Sequence, residues 1–170
     1  MHYEPLESPV ENALYPQQVN PAADRKARSD NLYADADGAA FPHVLTTYRL
    51  TEHHTAGGMS RTLPHLAELQ PELFCEISPA LAREIGVDNG DAVTVATPRG
   101  SITARALVTA RMATLRVHGR MLHQVGLPYH FGGRGHVRGD VVNDLIAISE
   151  EPNVRIMEAK ALVCRVDRVR

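Results

Sequence analysis

Asp91-Ala92-Val93-Thr94-Val95-Ala96-Thr97, then Pro98-Arg99-Gly100, then Ser101-Ile102-Thr103-Ala104-Arg105-Ala106-Leu107-Val108-Thr109, reads as a β-hairpin. In its second half Ile102, Ala104, Ala106 and Val108 share one face, and Ser101, Thr103 and Arg105 share the other. A period of two belongs to a strand in a sheet with one buried face. The Pro-Arg-Gly between the halves supplies the turn.

Working outward, Val44 to Leu50 is rich in β-branched and aromatic residues and predicts a strand. Leu63 to Leu69 predicts a short helix, and Leu73 to Ile77 a strand. Ser78-Pro79 opens a helix that runs to Ile85 and stops at Gly86, with serine as N-cap and glycine after the last turn. Leu115 to Val117, Met121 to Val125 and Ala161 to Val169 predict further strands. There is no βαβ alternation. Several short strands with one or two short helices imply a mainly β, closed barrel of about 120 residues.

The chain has 170 residues, the length of one domain with or without an extended arm. Residues 1–42 carry Pro5, Pro9, Pro16, Pro21 and Pro42, with seven acids against three bases, and predict an extended acidic, Pro-rich arm. Isolated apolar residues along it, such as Leu6, Val10 and Leu14, suggest an arm that lies across a protein surface. Residues 43–170 hold fifteen bases, thirteen acids and eight of the nine histidines. This balance excludes a nucleic-acid surface, which needs a clustered basic stripe. No apolar run reaches the roughly 20 residues of a membrane span, and Met1-His2-Tyr3-Glu4-Pro5 is not a secretory signal. The expected compartment is the cytoplasm, unless an export signal sits on an upstream part. Cys75 and Cys164 alternate with apolar neighbours and read as core thiols, not as a metal or disulfide framework.

Three segments are candidates for chemistry. Thr51-Glu52-His53-His54-Thr55-Ala56-Gly57-Gly58-Met59-Ser60-Arg61 is dense in polar groups. Its double glycine allows close backbone approach, and Ser60 and Arg61 offer a hydroxyl and a fork for an anion. Adjacent histidines point different ways, so His53 and His54 cannot clamp one metal. The plain alternative is a surface loop. His123-Gln124-Val125-Gly126-Leu127-Pro128-Tyr129-His130 leads into a second, glycine-rich loop through His136, which lacks the order of a phosphate-binding P-loop. A zinc site from His123, His130 and His136 is conceivable by residue type alone and has no identifiable orienting partner. Asn143-Asp144 offers an amide and a carboxylate for a polar ring edge, or a helix cap. Lys160 stands at the start of the last strand, where a solvated lysine is the ordinary reading. No metal site and no catalytic nucleophile stand out.

The order of these segments is more informative than any one of them. Thr46 to His53, Met59-Ser60-Arg61, Glu76-Ile77-Ser78-Pro79, Gly90-Asp91, Arg99-Gly100 and Val108-Thr109 resemble the C-terminal domain of molybdopterin oxidoreductases. His123 to His130, Asn143-Asp144-Leu145 and Glu158-Ala159-Lys160 continue the resemblance, which covers residues 43–169. Within that family the wording is most similar to the major (alpha) subunit of formate dehydrogenase, down to His2-Tyr3-Glu4-Pro5. The resemblance implies a six-stranded double-psi β-barrel over residues 43–170 that binds molybdopterin guanine dinucleotide (as bis-MGD, with molybdenum held by the cofactor and upstream domains). Carried over by matching segments, the cofactor-contacting candidates are Thr51, His53, His54, Met59, Ser60, Arg61, His123, Val125, His130, Asn143, Asp144 and Lys160.

In the family, the thiolate or selenolate on molybdenum, its acid–base histidine and the iron–sulfur motif lie upstream. Neither Cys75 nor Cys164 occupies a matching position. The expectation is a C-terminal portion of a formate dehydrogenase that needs an upstream catalytic partner chain, with iron–sulfur electron-transfer subunits as further partners, and is not catalytic alone. The alternatives are the same domain from another molybdopterin oxidoreductase, such as a nitrate reductase, or a non-enzymatic double-psi barrel adaptor.

Overall fold

The structure is a computed structural model that describes residues 7–10, 39–147, 150–151 and 153–170. Most of the expected arm over residues 1–42 therefore lies outside the described residues. The strands are β1 (His43–Tyr48), β2 (Phe74–Ile77), β3 (Ala92–Thr97), β4 (Gly100–Val108), β5 (Leu115–Val117), β6 (Arg120–Leu122), β7 (Gln124–Pro128) and β8 (Leu162–Arg168). Two short helices, α1 (Pro64–Leu69) and α2 (Pro79–Ile85), join them.

Six of these strands close a barrel in the order β1-β7-β2-β4-β3-β8, while β5 and β6 form a separate two-stranded ribbon. The pairs β1/β7 and β2/β4 are parallel and the other four are antiparallel. This is the mixed, mainly β barrel that the sequence predicts. The β3–β4 hairpin forms as predicted, with Val95 opposite Ile102, but Gly100 pairs with Thr97 as the first residue of β4, so the turn is Pro98-Arg99 alone. Closure abolishes open sheet edges. Alternate residues point inward: Leu45, Ile77, Val93, Val95, Val125 and Leu127 are fully enclosed and Ile102 nearly so. Each such side chain contributes about 1.5–3 kcal/mol on burial.

Helix α2 is capped as expected. Ser78 Oγ accepts the Leu81 N–H at 3.1 Å, Pro79 fills the first position, and Gly86 closes the helix in the left-handed region at φ 66°. One expectation is corrected. Met121 to Val125 is not one strand, because β6 ends at Leu122 and β7 starts at Gln124 and runs on to Pro128. Gly126 and Pro128 conceal that strand in the sequence. Glycine is needed there because a Cβ would stand 2.9 Å from Tyr48 Cε1. Proline is tolerated because it lies past the β2 ladder, which ends at Gly126, and the bond to the Tyr48 carbonyl is donated by the next residue, Tyr129, at 2.9 Å.

The topology sets one end of the barrel apart. β1 and β7 run parallel and both finish there, with Tyr48 opposite Pro128. β8 starts there, Leu162 lying opposite Leu45 of β1. The β3–β4 turn and the start of β2 lie at the same end. The loops that follow β1 and β7 and the segment that precedes β8 therefore meet at one rim. No helix among the described residues is long and apolar enough to cross a membrane.

Candidate functional site

The loop after β1 folds back on itself through two of the candidate residues. His53 is buried, and its Nε2–H donates to the Gln70 carbonyl at 3.0 Å. A carbonyl only accepts, so Nδ1 is the acceptor in the neutral ring and takes the Ser60 hydroxyl at 3.2 Å. Ser60 Oγ in turn accepts the His54 N–H at 3.0 Å. His53 and Ser60 thus shape the loop from within. They hold Thr51, His54 and Met59 outward, Met59 being 68% exposed. These residues line a cleft of about 460 Å³ with Arg49 and Glu52.

The second loop docks on the first. The rings of His53 and His130 lie 5.7 Å apart, and Phe131 stands edge-on to His53 at 5.8 Å. His130 is fully buried, and its Nε2 accepts the Leu50 N–H at 2.5 Å. Burial lowers its pKa, and its Nδ1 is enclosed without a hydrogen-bond partner. Arg61 is the main tie between the loops. Its guanidinium donates to the carbonyl oxygens of Gly132 and His130, and its own carbonyl accepts the His136 N–H at 2.8 Å. Two glycines make this possible. A Cβ at Gly57, where φ is +78°, would lie 2.2 Å from the His130 oxygen, and one at Gly135 would lie 2.7 Å from the Arg61 oxygen.

Arg61 also lines a second cleft, of about 220 Å³, with Tyr129, Phe131, Gly132, Gly133 and Asn143. Asn143 and Asp144 sit in a 3-10 turn, Val142–Leu145, which leaves both exposed while Val142 and Leu145 are buried. Lys160 reaches the same rim, donating from Nζ to the Thr47 carbonyl at 2.5 Å, while Thr47 Oγ1 donates to the Ala159 carbonyl at 2.6 Å. Its pKa is lowered by partial burial and then by Arg49. Arg49, not singled out in the sequence, lies with its guanidinium carbon 5.2 Å from the Tyr129 ring centre and lines the larger cleft. Its position directly after the β-branched run, at the mouth of the loop, is the signal that could have found it.

Ten of the twelve candidates thus belong to this rim: Thr51, His53, His54, Met59, Ser60, Arg61, His130, Asn143, Asp144 and Lys160. Two do not. Val125 is a fully buried core residue of β7. His123 lies at the opposite end of the barrel, where its carbonyl accepts the Val44 N–H at 3.0 Å. There its ring faces Ser78 Oγ at 3.3 Å, the Glu84 carboxylate at 3.1 Å and the His43 ring at 5.4 Å. The five residues of β7 carry the chain about 16 Å from His123 toward His130, which also separates two of the three conceivable zinc ligands.

The rim suits a polyanionic nucleotide with polar rings. Arg61 Nε is buried without a partner, although its Nη1 is engaged. Next to it an exposed asparagine amide and two glycine backbones line an open cleft. Lys160 and Arg49 add positive charge nearby. Such a donor set can take phosphate oxygens and a ring edge.

Residues 44–162 match the family model described as Molydopterin dinucleotide binding domain. The chain is 40% identical over 166 residues to formate dehydrogenase 2 subunit alpha (cytochrome c-553) of Nitratidesulfovibrio vulgaris, and 39% identical over 172 residues to the formate dehydrogenase-O major subunit of Escherichia coli. These alignments take in 97% and 99% of this chain but 16% of each relative's length. Acetylene hydratase from Pelobacter acetylenicus shares the fold, with a TM-score of 0.56 at 11% identity over 78% of this chain and 19% of that one. With its barrel, its rim of clefts and this match across most of its length, the chain belongs to the molybdopterin dinucleotide-binding domain family.

Proposed function

We propose that this chain is the C-terminal, cofactor-holding portion of a formate dehydrogenase major subunit. It would oxidise formate to carbon dioxide only together with the upstream catalytic part. The observation that carries the reading is the convergence of Arg61, Asn143 and the 51–61 loop on one barrel rim in a chain 40% identical to a formate dehydrogenase alpha subunit. The group held would be molybdopterin guanine dinucleotide, with electrons leaving through iron–sulfur subunits. When bound, it supplies the two-electron redox chemistry at molybdenum.

The residues of this chain bind and orient. Arg61 and Lys160 offer charge to phosphate oxygens, Asn143 and Asp144 offer donors and acceptors to a ring edge, and Gly132 and Gly133 let backbone approach closely. The His53–Ser60 bonds keep the loop in the shape that presents these groups.

The test is co-expression with the upstream polypeptide, followed by oxidation of the purified material. Fluorescent pterin, guanine nucleotide and molybdenum are expected in the complex, with activity on formate and none on nitrate. Absence of pterin and nucleotide would overturn the reading in favour of an adaptor. Activity on nitrate alone would move the chain to a different oxidoreductase.

A further inference from the structure

Glu7 and Arg99 meet behind the rim. Both terminal guanidinium nitrogens of Arg99 face the Glu7 carboxylate, Nη1 on Oε1 and Nη2 on Oε2 at 3.1 Å. The side chains are 1% and 5% exposed. Each partner also holds a piece of backbone that carries a candidate site residue. Arg99 Nε and Nη2 donate to the Leu145 carbonyl at 3.1 and 3.0 Å, and Thr97 Oγ1 donates to that same oxygen at 2.9 Å. Leu145 ends the 3-10 turn of Asn143 and Asp144. Glu7 Oε2 accepts the Val163 N–H at 3.0 Å, three residues after Lys160. β3 pairs with β8 only from Arg165 onward, so this N–H has no β3 partner in the ladder, and Glu7 takes it.

We propose that the segment Glu7–Val10 is a brace. Glu7 and Arg99 are positioning residues that fix the Asn143–Asp144 turn and the Lys160 approach to β8 by acting through Leu145 and Val163. The brace itself follows from geometry; its effect on ligand retention rests on the cofactor reading above. Only a planar fork can serve a carboxylate and a carbonyl together, so arginine is required and lysine cannot replace it. The anchor lies at the turns of the rim, and the six-stranded ladder closes without it. Its loss should therefore loosen the turn before it opens the barrel.

The test uses the full chain as Arg99→Ala, Arg99→Lys, Glu7→Ala and Glu7→Gln, the last keeping shape and an acceptor where the alanine variants fold poorly. Amide exchange is followed at Asp144, Ile146 and Val163, with β7 amides as the internal control. Arg99→Ala, Arg99→Lys and Glu7→Ala should each speed exchange at those three sites at least tenfold beyond any change at β7, whose amides report the global loss of stability, and Glu7→Gln should fall between. Equal exchange in Arg99→Ala and wild type overturns the brace, as does uniform acceleration that includes β7. Pterin and guanine nucleotide content of the complex with the upstream polypeptide is the second readout, expected to fall about tenfold in Arg99→Ala. A loosened turn with full nucleotide content overturns the effect on retention. Wild type without nucleotide overturns the proposed function instead, and exchange still decides the brace.

Discussion

Glu7 and Arg99, 92 residues apart in the chain, form an ion pair buried between the N-terminal segment, the β3–β4 turn and the start of β8. Neither charge has bulk water to fall back on, so the pair is worth most when both members are present. Removing one leaves an uncompensated buried charge, at a cost of roughly 3–5 kcal/mol. Glu7→Ala and Arg99→Ala should each lower stability to urea by about that amount. The double variant should cost less than the two combined. A strictly additive cycle in denaturant titrations would show that the two side chains act separately.

The far end of the barrel carries a pH-dependent weakness. His43 is buried against His123, and its pKa falls to about 4, chiefly through burial and then through His123, while Glu84 and Asp167 pull the other way. The unfolded chain binds this proton near pH 6.5 and the folded chain near 4. Between those values the unfolded state holds more protons, so stability rises with pH there, and is level below about 4 as far as this group is concerned. The stabilisation is present above pH 6.5 and is lost progressively on acidification, on the order of 3 kcal/mol in all. His43→Phe should flatten that part of the profile. A variant with the same fall in urea midpoint from pH 7 to 4.5 would exclude His43 as its source.

Legibility from the sequence followed locality. The β3–β4 hairpin and the capped helix α2 declare themselves because alternation, serine, proline and glycine act within a few residues. β7 was half hidden because Gly126 answers to Tyr48, a residue distant in sequence. His123 and His130 stand in one segment of the family resemblance, and the strand between them places them at opposite ends of the barrel. The 3-10 turn that presents Asn143 has no side-chain cap to signal it. Glu7 was one acid among seven in an acidic stretch; only the fold reveals that Arg99 and Val163 wait for it.

Docking of the two rim loops depends on a missing side chain. Gly57 has φ +78° and faces the His130 oxygen at a distance no Cβ can share. Gly57→Ala should therefore separate the loops and cost about 1–3 kcal/mol through strain and displacement. The His53 and His130 ring resonances, coupled by their 5.7 Å contact, should shift together in NMR spectra. Gly58→Ala is the control, because nothing lies within 4 Å of a Cβ there. Equal effects of the two substitutions would remove the docking argument.

The two cysteines should be chemically silent in the folded chain. Cys75 and Cys164 are fully buried in the barrel, and burial, more than any neighbouring charge, raises both thiol pKa values. Thiolate is the reactive form, so alkylation by iodoacetamide at pH 8 should track unfolding and follow the urea transition. Modification of either thiol at the rate of a free cysteine without denaturant would contradict the packed core.

Arg61 and Lys160 separate ligand binding from folding. Lys160 is exposed and donates to the Thr47 carbonyl. Lys160→Met should change stability by no more than about 0.5 kcal/mol and still lower nucleotide content of the assembled complex several-fold. Arg61 ties two loops through the Gly132 and His130 carbonyls, so Arg61→Ala should lose both, with about 1–3 kcal/mol from the unsatisfied carbonyls. The comparison is made on urea midpoints and on guanine nucleotide released per chain. If Lys160→Met retains the full nucleotide content, its ammonium serves only the Thr47 strand end, and the positive charge that the rim offers to phosphate falls to Arg49 and Arg61.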